Sequence, residues 1–234
     1  MDPYAWTWNE ETLVLVPGLT VAYALAVWRV GVTWWRAACF ALAMLLLLAF
    51  GVSPLHELAL RYLLWVHLLQ NVVLAEWAPL LLVVSLPPPL ASALAEPRPV
   101  RALTHPAVAL PVWLATYAVW HVPALYDAAL RREHSLLHVE HLAYLVTGIL
   151  VWWPVLQDVP RRLAPGLRAL YVVAAFVLAA PLGLLLALVQ EPAYEVYEQA
   201  PERLWGLSAL ADQQLGGVTM AGEQAAVFFA VFLV

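Results

Sequence analysis

The sequence contains no lysine: all eleven basic residues other than histidine are arginines. A retinal Schiff base, a natural thought for a chain with several membrane helices, is therefore excluded. The single cysteine, Cys39, permits neither an intrachain disulfide nor a CxxC metal motif. It lies inside an apolar run and reads as small packing. No phosphate-binding glycine loop and no nucleophile–base pair of recognisable spacing occurs, so an enzyme is not expected. Internal repeats and low-complexity tracts are also missing.

Charge is scarce as well, at 12% of 234 residues, against 64% hydrophobic residues and a mean hydropathy of +0.80. A soluble domain does not need so much apolar surface to fill its core, so the chain reads as an integral membrane protein. A spanning helix takes about 20 apolar residues to cross roughly 30 Å of hydrocarbon. Seven runs of that kind occur, near 13–31, 37–53, 59–86, 106–122, 135–156, 167–189 and 214–234. The predicted fold is thus all-α, a single seven-helix transmembrane domain over residues 1–234 in contact with the lipid bilayer; no nucleic-acid partner is expected. The first run follows an acidic start and lacks a small-residue cleavage signature, so it is expected to remain as a span. The last stops at Val234 without a polar flank, and the natural chain is expected to continue.

The few charges set an orientation. Arg29 and Arg36 flank the first connection, Arg98 and Arg101 the third, and Arg161, Arg162 and Arg168 the fifth. Asp2, Glu10 and Glu11 make the amino terminus acidic, and Glu191, Glu195, Glu198 and Glu202 do the same for the last connection. The positive-inside rule then places the amino terminus outside and the carboxyl terminus in the cytoplasm, although Arg131 and Arg132 run against it. Between the third and fourth spans, the five prolines of residues 85–99 are expected to prevent a helix. A short interfacial helix is expected near Tyr194 to Leu204.

Histidine is the side chain this chain concentrates. His134, His138 and His141 sit at i, i+4 and i+7 at the start of the fifth run, which puts them on one helical face. His121 closes the preceding run, and Pro123 ends that helix close to the start of the next. By the charge count these four, together with His56, fall at the outer surface, His67 falls in the outer half of the third span, and His105 is cytoplasmic. Imidazoles at such depth are costly enough to suggest a use, and they suit copper, zinc and iron alike.

Other polar residues are placed by spacing. Gln70 and Asn71 share a face with His67, whereas Glu76, nine residues on, is half a turn around a straight helix. Near mid-membrane, insertion scales charge about 2.5–3.5 kcal/mol for an acid. Glu76 is therefore expected to be protonated, paired with another helix, or part of a proton or ion path. Glu140 faces away from His138 and reads as structural, paired with Arg131, Arg132 or a polar group elsewhere; Tyr126 and Asp127 read as loop-fixing residues. Asp212 is placed to cap the seventh helix, on which Gly216, Met220 and Glu223 form one stripe.

Four strings occur in order: HLLQ with AP in the third span, WHVPALYDAAL, LLHVEH followed by WWPV, and DQQLGGVTM near the end. In these the chain resembles the CtaG family of cytochrome c oxidase assembly factors, the type associated with caa-type oxidases. The resemblance covers most of the chain. It implies a multi-pass protein of the bacterial cytoplasmic membrane that brings copper to a haem-copper oxidase from the outer side, with the oxidase subunits and a copper chaperone as partners. Carried over residue by residue, it names His67, His121, His138 and His141 as metal ligands. Asp212 and Met220 match the terminal motif, and Asn71, Glu76 and His134 take supporting places. The family's third-span motif has histidines four apart; His67 matches the first, but Asn71 stands at the second. Two alternatives stay open: a structural subunit of a respiratory oxidase that binds no metal, and a membrane electron carrier with bis-histidine haem.

Overall fold

Short polar side chains and prolines set where the helices start. In this computed structural model, which describes residues 2–132 and 135–233, every regular element is helical and no strand occurs among the described residues. Asn9 accepts the Thr12 N–H (3.2 Å) at the head of α1 (Glu10–Val30), and Gly31, with φ of 74°, ends it. After α2 (Trp34–Val52), Ser53 accepts the Leu55 N–H (3.1 Å) and Pro54 opens α3 (Pro54–Arg61). The third span runs from Leu64 to Ser85 as α4 (Leu64–Val72), one π-helical turn (Val73–Trp77) and α5 (Ala78–Ser85). Then follow α6 (Pro88–Ala95), α7 (Arg98–Leu103), α8 (Pro106–Trp120), α9 (Pro123–Arg131), α10 (Leu136–Leu156), α11 (Pro165–Leu188), the short α12 (Glu195–Glu198) and α13 (Ala209–Phe232).

Six of these helices are long and apolar enough to cross a bilayer: α1, α2, Leu64–Ser85, α10, α11 and α13. The seventh is broken. At 15 residues α8 reaches only roughly 22 Å, short of the hydrocarbon thickness, and the chain bends by 75° into α9. The bend falls at His121, with Pro123 opening the second piece. The Leu64–Ser85 span and α10 are the inner helices, whereas α1 fully buries only Val16, packs Leu15, Leu19 and Tyr23 partly against the core and leaves much of its remaining apolar surface exposed.

The centre is held by close backbone approach. A β-carbon on Gly148 of α10 would collide with the Ala75 carbonyl oxygen in the π turn. A π turn disturbs the ordinary ladder, and two indoles answer its carbonyls: Trp152 donates to the Glu76 carbonyl (2.9 Å) and Trp113 to that of Ala75 (3.3 Å). Gly148→Ala is expected to cost about 2 kcal/mol by overpacking this contact. Gly222→Ala, which meets nothing within 4 Å, should cost nothing; thermal unfolding of both variants in detergent compares them.

Several boundaries differ from expectation. The third run does not begin at 59: the Glu57–Arg61 ion pair (2.9 Å) keeps α3 a separate polar-faced helix, and the span starts at Leu64. Residues 85–99 do form helix, because their prolines fall in the first turns of α6 and α7, where a missing N–H is harmless. Of the helix expected over Tyr194 to Leu204 only Glu195–Glu198 forms, followed by a 3-10 turn at Leu204–Gly206. Asp212 does not cap its own helix. Ser208 does so (3.1 Å to the Ala211 N–H), while Asp212 reaches across to accept the Leu64 and Trp65 N–H groups (2.7 and 3.1 Å) at the head of the third span.

Candidate functional site

His67 on α4, His121 at the end of α8 and His141 on α10 are all buried, and each has one ring nitrogen committed. The Tyr197 hydroxyl donates to the Ala59 carbonyl (2.5 Å), so it receives a proton from His67 Nδ1 (2.7 Å). His121 Nδ1 faces the Tyr117 carbonyl at 2.8 Å, an acceptor only. His141 Nδ1 lies 3.0 Å from Glu11 Oε2. These partners assign the proton to Nδ1 in all three rings and leave Nε2 with a bare lone pair. Each of those Nε2 atoms is buried and without a hydrogen-bond partner. Leaving one buried polar group unsatisfied costs about 1–3 kcal/mol, and here three of the same kind accumulate.

Tyrosines hold these rings in place. The Tyr126 ring lies 5.2 Å from that of His67 and 6.0 Å from that of His121, so it sits between the α4 and α8 imidazoles. It stacks on Tyr194 at 4.0 Å, while Tyr117 stacks on His121 at 5.7 Å. One turn beyond His67, Asn71 Nδ2 donates to Glu140 Oε1 (3.3 Å). Asn71 Oδ1 and Glu140 Oε2 remain buried and unpartnered. Glu140 thus pairs with a polar group on another helix rather than with an arginine. Asp127 fixes a loop, as its residue type suggested, by accepting the Glu195 and Val196 N–H groups (both 3.2 Å).

The predicted residues are only partly brought together. His67, His121 and His141 point their free nitrogens into the interior at one end of the bundle. His138 is half-buried at the rim, its Nε2 4.0 Å from Glu11 Oε2. His134 lies outside the described residues. Glu76 belongs to a separate place, where Oε1 accepts from Tyr117 (2.8 Å) and Gln224 (2.9 Å). Gln224 rather than Glu223 therefore turns inward from α13, and Met220 packs in the main apolar core. Among the described residues, no three histidine, cysteine, aspartate or glutamate side chains stand close enough together to hold a metal ion as they are.

Two participants come from the amino-terminal end. Asn9 Nδ2 donates to His56 Nε2 (3.1 Å), and Glu11 holds His141 and approaches His138. With Gln70 they line a small cavity of about 20 Å³, room for about one water. In the sequence Glu11 stands out only as an acidic flank; nothing local marks a first-turn glutamate as a partner of a histidine 130 residues away. Burial, reinforced by the nearby His141, pushes His56 down to about 4 from an ordinary 6.5. The folded state therefore binds fewer protons than the unfolded chain below pH 6.5. The contribution is complete above that pH and lost on acidification towards 4. The melting temperature should fall over this window, and His56→Gln should flatten the fall.

A family model for the cytochrome c oxidase caa3 assembly factor matches residues 21–234. The chain belongs to this family. No curated protein and no solved structure matches it. The matched stretch includes every helix that carries His67, His121 and His141, whereas Asn9 and Glu11 precede it.

Proposed function

We propose that this assembly factor carries copper as its cargo, held by the Nε2 atoms of His67, His121 and His141, and passes it to a haem-copper oxidase on the outer side of the membrane. The observation that carries the reading is the shared tautomer: three buried imidazoles on three helices, each pinned through Nδ1, each with an unused Nε2 lone pair. Neutral imidazole is a good ligand for copper, and hydrogen bonding at the other ring nitrogen both orients it and raises its basicity. Three nitrogen donors leave a position open for exchange, which a carrier needs and a closed structural site lacks. Among the described residues the donors are not yet gathered on one point, so ion binding must draw the three rings together with their Nδ1 partners. His138 and Glu11 at the rim form the path by which the ion arrives, and the arginine distribution supports an outward-facing mouth.

Copper content of the purified protein tests this, comparing wild type with His141→Ala and His138→Ala. Loss in the first and retention in the second is expected; equal copper in all three overturns the proposal. The Asn71–Glu140 bond and the spread of the donors favour a second reading, a permanent subunit of the oxidase complex without metal. That reading requires stoichiometric copurification with oxidase subunits and no bound copper.

A further inference from the structure

At the end of the bundle opposite His67, His121 and His141, the start of α8 and the end of α10 form a partly open cavity of about 400 Å³. Arg101 of α7 and Arg161 of the connection after α10, both exposed, line it, so two separate connections contribute an arginine to its wall. Neither arginine has an ion pair or hydrogen bond among the described residues. The acid near them, Asp158, is engaged by Arg168 (3.0 Å) and Arg162 (3.7 Å). His105 supplies a third donor. Its Nδ1 accepts the Ala107 N–H (3.2 Å) at the head of α8, which places the ring proton on Nε2, free to donate.

The remaining wall is apolar. Val108, Trp153 and Pro154 line it where the two spans leave the hydrocarbon, and the Trp153 N–H is occupied by the Val159 carbonyl (2.6 Å). Two uncompensated guanidinium groups and a neutral N–H donor select a phosphate oxyanion. The volume is far larger than one phosphate group fills, and its apolar wall stands at the ends of two spanning helices, where the headgroup of a lipid would meet the protein. We propose that this cavity binds the phosphate headgroup of an anionic phospholipid, tying the α7–α8 connection to the end of α10. The site is independent of copper and of His67, His121 and His141.

The test uses the full chain in nanodiscs of phosphatidylcholine, with or without phosphatidylglycerol. The anionic lipid should raise the melting temperature and remain attached in native mass spectrometry. In Arg101→Gln/Arg161→Gln the increment should disappear and lipid retention weaken about 30-fold, each interfacial arginine contributing roughly fivefold. The control Arg29→Gln/Arg98→Gln removes the same charge outside the cavity and should keep the increment. Equal loss in both double variants would reduce the effect to diffuse surface attraction and overturn the site. Reproduction of the full increment by millimolar inorganic phosphate in phosphatidylcholine discs overturns the lipid assignment. Melting in phosphatidylcholine alone reports folding; if the double variant melts early there, Arg161→Gln alone carries the test with a fivefold effect.

Discussion

Asp212→Ala is expected to destabilise the protein by about 4 kcal/mol, two charge-assisted hydrogen bonds at roughly 1.5–3 kcal/mol each being lost. Asp212 is buried, and its two oxygens accept the Leu64 and Trp65 N–H groups. The segment before that helix, Arg61-Tyr62-Leu63, holds no serine, threonine, asparagine or aspartate, and Leu63 at the cap position offers no acceptor. Without Asp212 two N–H groups at the head of the central span have neither water nor side chain to bond. The contact is geometrically tight: a β-carbon on Gly216, one turn along α13, would sit 3.1 Å from Trp65 Cα. Asp212→Asn keeps one acceptor oxygen and should lose about half as much. Ser208→Ala, which removes the cap of α13 itself, should cost only about 1 kcal/mol. Equilibrium unfolding in detergent ranks the three. An Asp212→Ala loss no larger than that of Ser208→Ala would mean that the third span starts without its borrowed cap.

That borrowed cap illustrates what hydropathy leaves out. The apolar runs are legible because crossing a bilayer demands length and composition that nothing else in the chain imitates, and six of the seven runs appear as unbroken spans. Which helices stand inside is not legible, since α10 and α13 have the same mean hydropathy of 1.4 but only α10 is mostly buried. Prolines mislead in residues 85–99, where they start helices instead of preventing them, because a proline's effect depends on its position within a turn. The histidine site divides in the same way. Spacing on one helix correctly puts His138 and His141 on a common side, as their shared approach to Glu11 Oε2 shows. Depth separates them, His141 inside and His138 at the rim, and depth depends on how the helices assemble, not on spacing along one of them. Pairings such as His67 with Tyr197 or Asn71 with Glu140 join residues far apart in the chain, and no local pattern announces them.

On the copper reading, Glu11→Ala should lower affinity about 100-fold and Glu11→Gln about 10-fold, the range typical of partners that orient a ligating histidine. The two substitutions separate two contributions. Glutamine keeps an oxygen that can accept the His141 Nδ1 proton, so the ring stays oriented with Nε2 free, but it removes the negative charge. Alanine removes both. The charge matters because neutral imidazoles supply lone pairs but no negative charge, so part of the penalty for bringing a cation in from water is left to the carboxylate to offset. Glu11 is the carboxylate in contact with His141 and close to His138, and it lies where an ion coming from the aqueous side first meets the site. Glu10, exposed and one residue away, leaves the electrostatics at the surface nearly the same but touches neither ring, so Glu10→Ala should bind copper as wild type does. Competition against a chelator of known affinity measures all three, with melting temperature as the check on folding. If Glu11→Ala binds as tightly as Glu10→Ala while both melt normally, His141 is not held for a metal. The carboxylate is then a clasp between α1 and α10, its 3.0 Å bond serving the fold alone. If Glu11→Gln falls as far as Glu11→Ala, charge rather than ring orientation is what the amino-terminal helix supplies.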